Sequence, residues 1–119
     1  MKITIVAILS ALALSACSFT SKKPSLYYWG DYSSLQFQSF DETSPLEEQI
    51  QAMENYFNKA HAQQARIAPG AYAHLGMLYA KNGNLAEAKK QFEIEKKQFP
   101  ESGHYMDFLK ANMNKGSSK

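Results

Sequence analysis

The stretch that decides the fold is residues 72–100, which read YAHLGMLYAKNGNLAEAKKQFEIEKKQFP. Tyr72, Leu75 and Tyr79 recur every three or four positions, so they share one face of a helix. The Asn-Gly-Asn at 82–84 interrupts this pattern, because glycine adopts the positive φ that ends a helix and asparagine caps the next one. Residues 72–100 are therefore predicted to form two antiparallel helices.

Three further positions explain how these two helices pack together. Gly76 has no Cβ and lets the second helix approach closely, with Ala88 and Phe92 as its small and large partners. The spacing resembles the tetratricopeptide repeat, with Tyr72 in place of the usual tryptophan. The resemblance implies an all-α stack of helical hairpins that holds other molecules. The repeat usually has a small residue where Glu95 stands, so looser or wetter packing is expected there.

The first sixteen residues predict a cleaved signal peptide, because a short positive start precedes an apolar run at 3–14. The Leu-Ser-Ala-Cys at 14–17 resembles the bacterial lipobox, in which the cysteine sulfur receives a diacylglyceryl group. That resemblance implies a lipoprotein held in the bilayer by acylated Cys17. Ser18, in place of aspartate, implies the outer membrane and its periplasmic face. The alternative is a plain secretory signal that leaves Cys17, the only cysteine, as a free thiol.

The predicted organisation after the signal peptide (1–16) has three parts. Residues 17–25 hold the lipidated cysteine and a polar, flexible tether. Residues 26–114 form the tetratricopeptide-like domain, with about four or five helices. Residues 115–119 are a disordered tail.

Aromatic side chains are densest at 26–32. A short helix from Asp31 to about Phe40 is predicted to bury Tyr32, Leu35 and Phe40 on one side, although alternation at 35–38 also permits a strand. The aromatic side chains either form a docking surface or cover the open side of the hairpin. The candidates are Tyr27, Tyr28, Trp29 and Tyr32.

Two more helices are predicted from start signals. Ser44 caps a helix that has proline at its first position and runs for about twenty residues, to the Pro-Gly at 69–70. Ser102 caps a last helix that ends near Met113 and covers the end of the stack, with Met106 facing inward.

Composition argues against several classes of function. The net charge of +2 is spread over mixed basic and acidic residues, which lack the basic face that nucleic-acid binding needs. His61, His74 and His104 lie on three different predicted helices, at no known ligand spacing. We therefore expect no metal, no cofactor and no enzymatic activity.

The first helix of each hairpin lines the concave side in stacks of this kind. The candidate partner groove is therefore Ala73, Met77, Ala80 and Lys81. Three of these are small or pliable apolar residues, so a shallow groove for an amphipathic helix or an extended peptide is predicted. Alternatively, the N-terminal aromatic segment folds back into this groove and fills it.

The mature chain also resembles a family of small bacterial lipoproteins that have no assigned activity. The match is carried by a Tyr-x-Trp-Gly-x-Tyr segment and a single hairpin, at Tyr27, Trp29, Gly30, Tyr32, Gly70, His74, Leu75, Gly76, Tyr79, Phe92, Phe99, Pro100, Glu101, Ser102, Met106 and Asp107. We expect a membrane-tethered adaptor that helps assemble an envelope complex and binds another envelope protein or a second copy of itself. The alternatives are an activator of a peptidoglycan synthase and a structural envelope lipoprotein.

Overall fold

The computed structural model describes residue 1 and residues 25–41 and 44–116. The predicted signal peptide, Cys17 and most of the tether lie outside these residues, as does the end of the tail. The described part contains five helices, which confirms the all-α class: α1 Tyr32–Asp41, α2 Leu46–Ala62, α3 Ala71–Lys81, α4 Leu85–Gln98 and α5 Gly103–Gly116. A 3-10 turn at Pro100–Ser102 precedes α5, and each helix packs against the next in the chain.

Helices α3 and α4 form the pair predicted from residues 72–100. Gly83 has a φ of 79° in the turn between them, and the Asn84 side chain accepts a hydrogen bond from the Glu87 amide at the start of α4. A Cβ on Gly76 would lie 2.6 Å from a ring carbon of Phe92. The missing side chain therefore sets the distance between the two helices.

Helix α2 begins at the predicted place but without the predicted cap. Pro45 occupies the cap position, and no side chain caps the helix there. The backbone carbonyl of Ser44 instead accepts a hydrogen bond of 2.8 Å from the Gln49 side chain. The prediction that Ser44 caps α2 is wrong.

Helix α2 ends at Ala62, well before the predicted end at 69–70. Gln64 has a φ of 52°, and the Ala65 amide turns back to donate to the Ala60 carbonyl. The chain then runs on to make a parallel bridge between Ile67 and Tyr28. Helix α2 stops early because the segment after it pairs with the N-terminal aromatic segment.

Two clusters of apolar side chains form the core. The first joins α1, α2 and α3 with the segment between α2 and α3, and includes Tyr32, Met53, Tyr56, Phe57, Leu75 and Leu78. The second joins α3, α4 and α5, and consists of Ala73, Ala88, Phe92 and Met106. Helix α3 contributes to both clusters, so its position fixes the two halves relative to each other.

Helix α1 buries Tyr32 but not Phe40, whose side chain is 86% exposed. The prediction that Phe40 is buried is wrong. Phe40 lies eight residues after Tyr32, about 80° further around the axis and about 140° from Leu35. Tyr32 and Leu35 therefore face α2, whereas Phe40 extends beyond the core.

Helix α5 follows the 3-10 turn and not a serine cap. Pro100 begins that turn, in which the Ser102 hydroxyl donates to the Phe99 carbonyl over 2.7 Å. The prediction that Ser102 caps α5 is wrong, and α5 extends beyond Met113 to Gly116. Met106 is buried against the second cluster, as the sequence predicted. Among the described helices, none has the length and hydropathy of a membrane span.

The Gly76→Ala variant should unfold more easily than the native protein. The added Cβ would lie 2.6 Å from the buried Phe92 ring and 3.2 Å from the Ala88 carbonyl oxygen, so α3 and α4 must move apart. We expect a loss of about 1–3 kcal/mol in the free energy of unfolding, as is typical of overpacked cores. Urea denaturation followed by circular dichroism measures this loss.

Gly103→Ala is the matched control, because Gly103 is also helical but a Cβ there would meet only the Lys96 side chain, at 3.6 Å. This variant should be as stable as the native protein or slightly more stable, since alanine favours helix. Equal stabilities for the two variants would contradict the proposed role of Gly76.

Candidate functional site

A buried carboxylate holds the start of α3. Glu95, on α4, is 2% exposed; its Oε1 accepts from the Gly70 amide over 2.7 Å and its Oε2 from the Ala73 amide over 3.4 Å. Gly70 precedes α3 with a φ of 88° and has no side chain with which to cap the helix. The Glu95 carboxylate therefore satisfies amides that the helix itself leaves unpaired, at its positive end. The side chain is hydrogen-bonded on this side, but it also lines a cavity, so the packing around Glu95 is loose, as the sequence predicted.

The charge on Glu95 is stabilised by amides but not by a cation. Burial raises the pKa of Glu95, the amides of Gly70, Ala73 and Tyr72 lower it, and the negative charge of nearby Glu101 raises it further. Within residues 25–41 and 44–116, the ion pairs involve neither Glu95 nor Glu101. Glu95 and Glu101 therefore lie near each other without a basic partner in this part of the chain.

Next to Glu95 lies a cavity of about 450 Å³, which we call the His74 cavity. It lies between α1, the start of α3 and the start of α5, and its size falls in the range of small-ligand sites. Its apolar lining comes from Tyr32, Phe40, Pro69, Ala73, Met77, Phe99, Tyr105 and Met106. Its polar lining comes from Gln36, Ser39, His74, Glu95, Glu101 and Ser102.

The His74 side chain lines this cavity with both ring nitrogens unpaired. It is 7% exposed, and both Nδ1 and Nε2 are buried without a hydrogen-bond partner among the described residues. Its ring centroid lies 6.0 Å from that of Tyr32. Burial, and secondarily the charge of Lys81, lower the pKa of His74, so the ring is neutral at pH 7. It therefore offers one donor and one acceptor, and buried groups of this kind are normally paired.

Exposed aromatic side chains surround the opening of the His74 cavity. Phe40 from α1 is 86% exposed, and Tyr105 from α5 is 53% exposed. Phe108, one turn further along α5, stacks on Tyr105 with ring centroids 6.3 Å apart. Large exposed apolar patches next to a cavity are typical of binding sites.

The structure brings two of the four predicted groove residues to this cavity. Ala73 and Met77 line it. Ala80 is half-buried against the second core cluster, while Lys81 is exposed and outside the lining. Ala80 does not line the cavity with Ala73 and Met77, because it packs with side chains from α5 in the second core cluster.

The predicted aromatic candidates lie on different sides of the first core cluster. Tyr28 packs on Tyr56, whose hydroxyl donates to the Tyr28 carbonyl over 2.6 Å. Tyr27 lies edge-on to Phe99 with the Arg66 guanidinium 5.1 Å from its ring. A smaller cleft of about 180 Å³ lies beside Arg66 and Phe99.

The other two aromatic candidates, Trp29 and Tyr32, lie nearer the His74 cavity. Tyr32 is buried and forms one wall of the cavity. Trp29 is 47% exposed, with its ring centroid 6.3 Å from that of Tyr32. The segment therefore mainly covers the core, and Trp29 keeps an exposed surface.

Sequence reasoning missed Glu95, Glu101, Phe40 and Tyr105 as site residues. One signal was available for Glu95, since it follows Phe92 by three positions and so lies on the buried face of α4. A charged residue on that face needs a polar partner. The aromatic residues of the opening gave no such signal, because α1 and α5 are far apart in the sequence. In the described part of the chain, histidine, cysteine, aspartate and glutamate form no cluster of three or more that suits a metal ion.

Comparison with known families shows to which family this helical domain belongs. A profile of the domain of unknown function DUF4810 matches residues 26–109, from the aromatic segment into α5. The chain belongs to the DUF4810 family. The match includes every residue that lines the His74 cavity. Searches of curated proteins and of solved structures found no match.

Proposed function

We propose that this DUF4810 protein is a membrane-tethered periplasmic lipoprotein that binds a segment of another envelope protein and so acts as an adaptor in assembling a complex. The observation that carries this proposal is the His74 cavity, an apolar cavity with exposed aromatic residues at its opening. Concave sites of this kind accept apolar side chains of a helix or an extended peptide.

The packing of α3 on α4 supports a binding function of the tetratricopeptide type. Gly76, Ala88 and Phe92 make the close contact that this repeat uses. The helix α3 also supplies Ala73 and Met77 to the cavity, from the face that such repeats use for ligands. The proposed role is therefore to bind, not to catalyse.

The membrane tether rests on the sequence around Cys17. Two or three acyl chains on one cysteine give stable anchoring, which a single chain does not. The eight residues from Ser18 to Ser25 span at most roughly 28 Å, so the domain stays close to the bilayer. Confinement to this layer raises the effective concentration of the domain for other membrane proteins, and a modest affinity then suffices. Ser18 favours the outer membrane.

Lipidation is tested by growing cells that express the full chain with radiolabelled palmitate. We expect label on the native protein and none on the Cys17→Ser variant, because Cys17 is the only cysteine. Cell fractionation should place the labelled protein in the outer membrane. A native protein without label, recovered in the soluble periplasm, would contradict the proposed tether.

The adaptor role is tested by photo-cross-linking in intact cells. A benzoylphenylalanine at position 77, on the wall of the His74 cavity, should form a discrete adduct that mass spectrometry identifies. A channel or a lipoprotein in the adduct supports assembly, whereas a peptidoglycan synthase would support activation of that enzyme instead.

Position 86 is the matched control, since Ala86 is exposed on α4 and outside the cavity lining. The same photoreactive residue there should give no such adduct. Identical adducts from both positions, or none from position 77, would contradict a partner site at the cavity.

A further inference from the structure

We propose that the His74 cavity receives a lysine or arginine side chain of the partner segment, flanked by apolar residues. This inference rests on the proposed function and specifies its ligand. It follows from three properties of the cavity, which are its two carboxylates without a basic partner, its apolar walls and its aromatic opening.

The cavity offers hydrogen-bond acceptors without a matching cation. The two oxygens of Glu95 accept from the amides of Gly70, Ala73 and Tyr72, and a carboxylate has about four lone-pair sites, so room for one more donor remains. Glu101 is exposed and, among the described residues, takes part in no ion pair. Among the described residues, no lysine or arginine lines the cavity. The ligand group that fits these acceptors is a cationic donor.

The walls between the opening and these acceptors are apolar. Tyr32, Met77 and Met106 line the cavity from three different helices. Lysine and arginine bury their long apolar stems against such surfaces and keep the charged end on polar groups. A short polar side chain would leave these walls uncovered, and an aliphatic one would leave the carboxylates of Glu95 and Glu101 without a cation. A long side chain with a charged end covers the apolar walls and also pairs with the carboxylates.

The aromatic opening suits the same ligand. Phe40 and Tyr105 are exposed, and the face of an aromatic ring attracts an ammonium or guanidinium group that enters the cavity beside it. The same two rings provide apolar contact for the residues on either side of the inserted cation. The partner segment is therefore both basic and apolar, which distinguishes it from an acidic peptide.

Selection from a displayed library of random twelve-residue peptides tests this inference on the full chain held in lipid nanodiscs. We expect the bound peptides to be enriched in lysine or arginine next to apolar residues. Replacing that basic residue by glutamine should weaken binding at least tenfold. The Glu101→Lys variant should weaken binding by a similar factor, because it places a positive charge at the cavity.

Glu48→Lys is the matched control, since Glu48 is exposed on α2 and outside the cavity lining. It makes the same change of charge and should bind the selected peptides as the native protein does. Circular dichroism checks that both variants fold.

The outcomes separate the two proposals. Enriched peptides without a basic residue, or binding that Glu101→Lys leaves unchanged, would overturn this inference while leaving a peptide-binding site in place. If no peptide is enriched, the proposed function fails as well. Self-association of the native chain that Glu101→Lys abolishes would assign the cavity to a second copy and overturn the inference.

Discussion

The structure depends on a hydrogen-bonded contact between two helices, in which the Glu95 carboxylate of α4 accepts from the Gly70 and Ala73 amides at the start of α3. Helix α3 belongs to both core clusters. Its first turn needs a cap, because Gly70 has no side chain, and a buried amide without a partner is costly. By supplying that cap from α4, Glu95 fixes where α3 begins.

This contact also shapes the candidate site. The first two turns of α3 carry Ala73, His74 and Met77 into the cavity, so the cap at Gly70 sets their position. The same carboxylate is part of the lining, so the residue that caps α3 also belongs to the candidate site. Burial without a cationic partner raises the pKa of Glu95. A ligand cation would stabilise the charge of Glu95 further, in addition to the amides.

The sequence predicted those parts of the fold that depend on local chemistry. The turn at Gly83, the cap at Asn84 and the close contact at Gly76 were all readable, because each follows from residue type and helical spacing. The end of α2 was not readable, since it depends on a bridge between Ile67 and Tyr28 that are far apart in the chain.

The candidate site was only half predictable for the same reason. Ala73 and Met77 follow from the repeat pattern of one helix, whereas Phe40 and Tyr105 reach the cavity only once α1 and α5 have packed. The role of Glu95 depends on a partner in the turn before α3. Spacing along α4 could have indicated that this side chain is buried, but not which amides it contacts.

Amide hydrogen exchange at Gly70 tests the central contact most directly. In the native protein the Gly70 amide should exchange roughly a hundredfold or more slower than an unstructured amide, because it is hydrogen-bonded to a buried carboxylate. In the Glu95→Ala variant this protection should be lost, while the Ala88 amide inside the hairpin stays protected. A Gly70 amide that exchanges as fast in the native protein as in the variant would contradict the account.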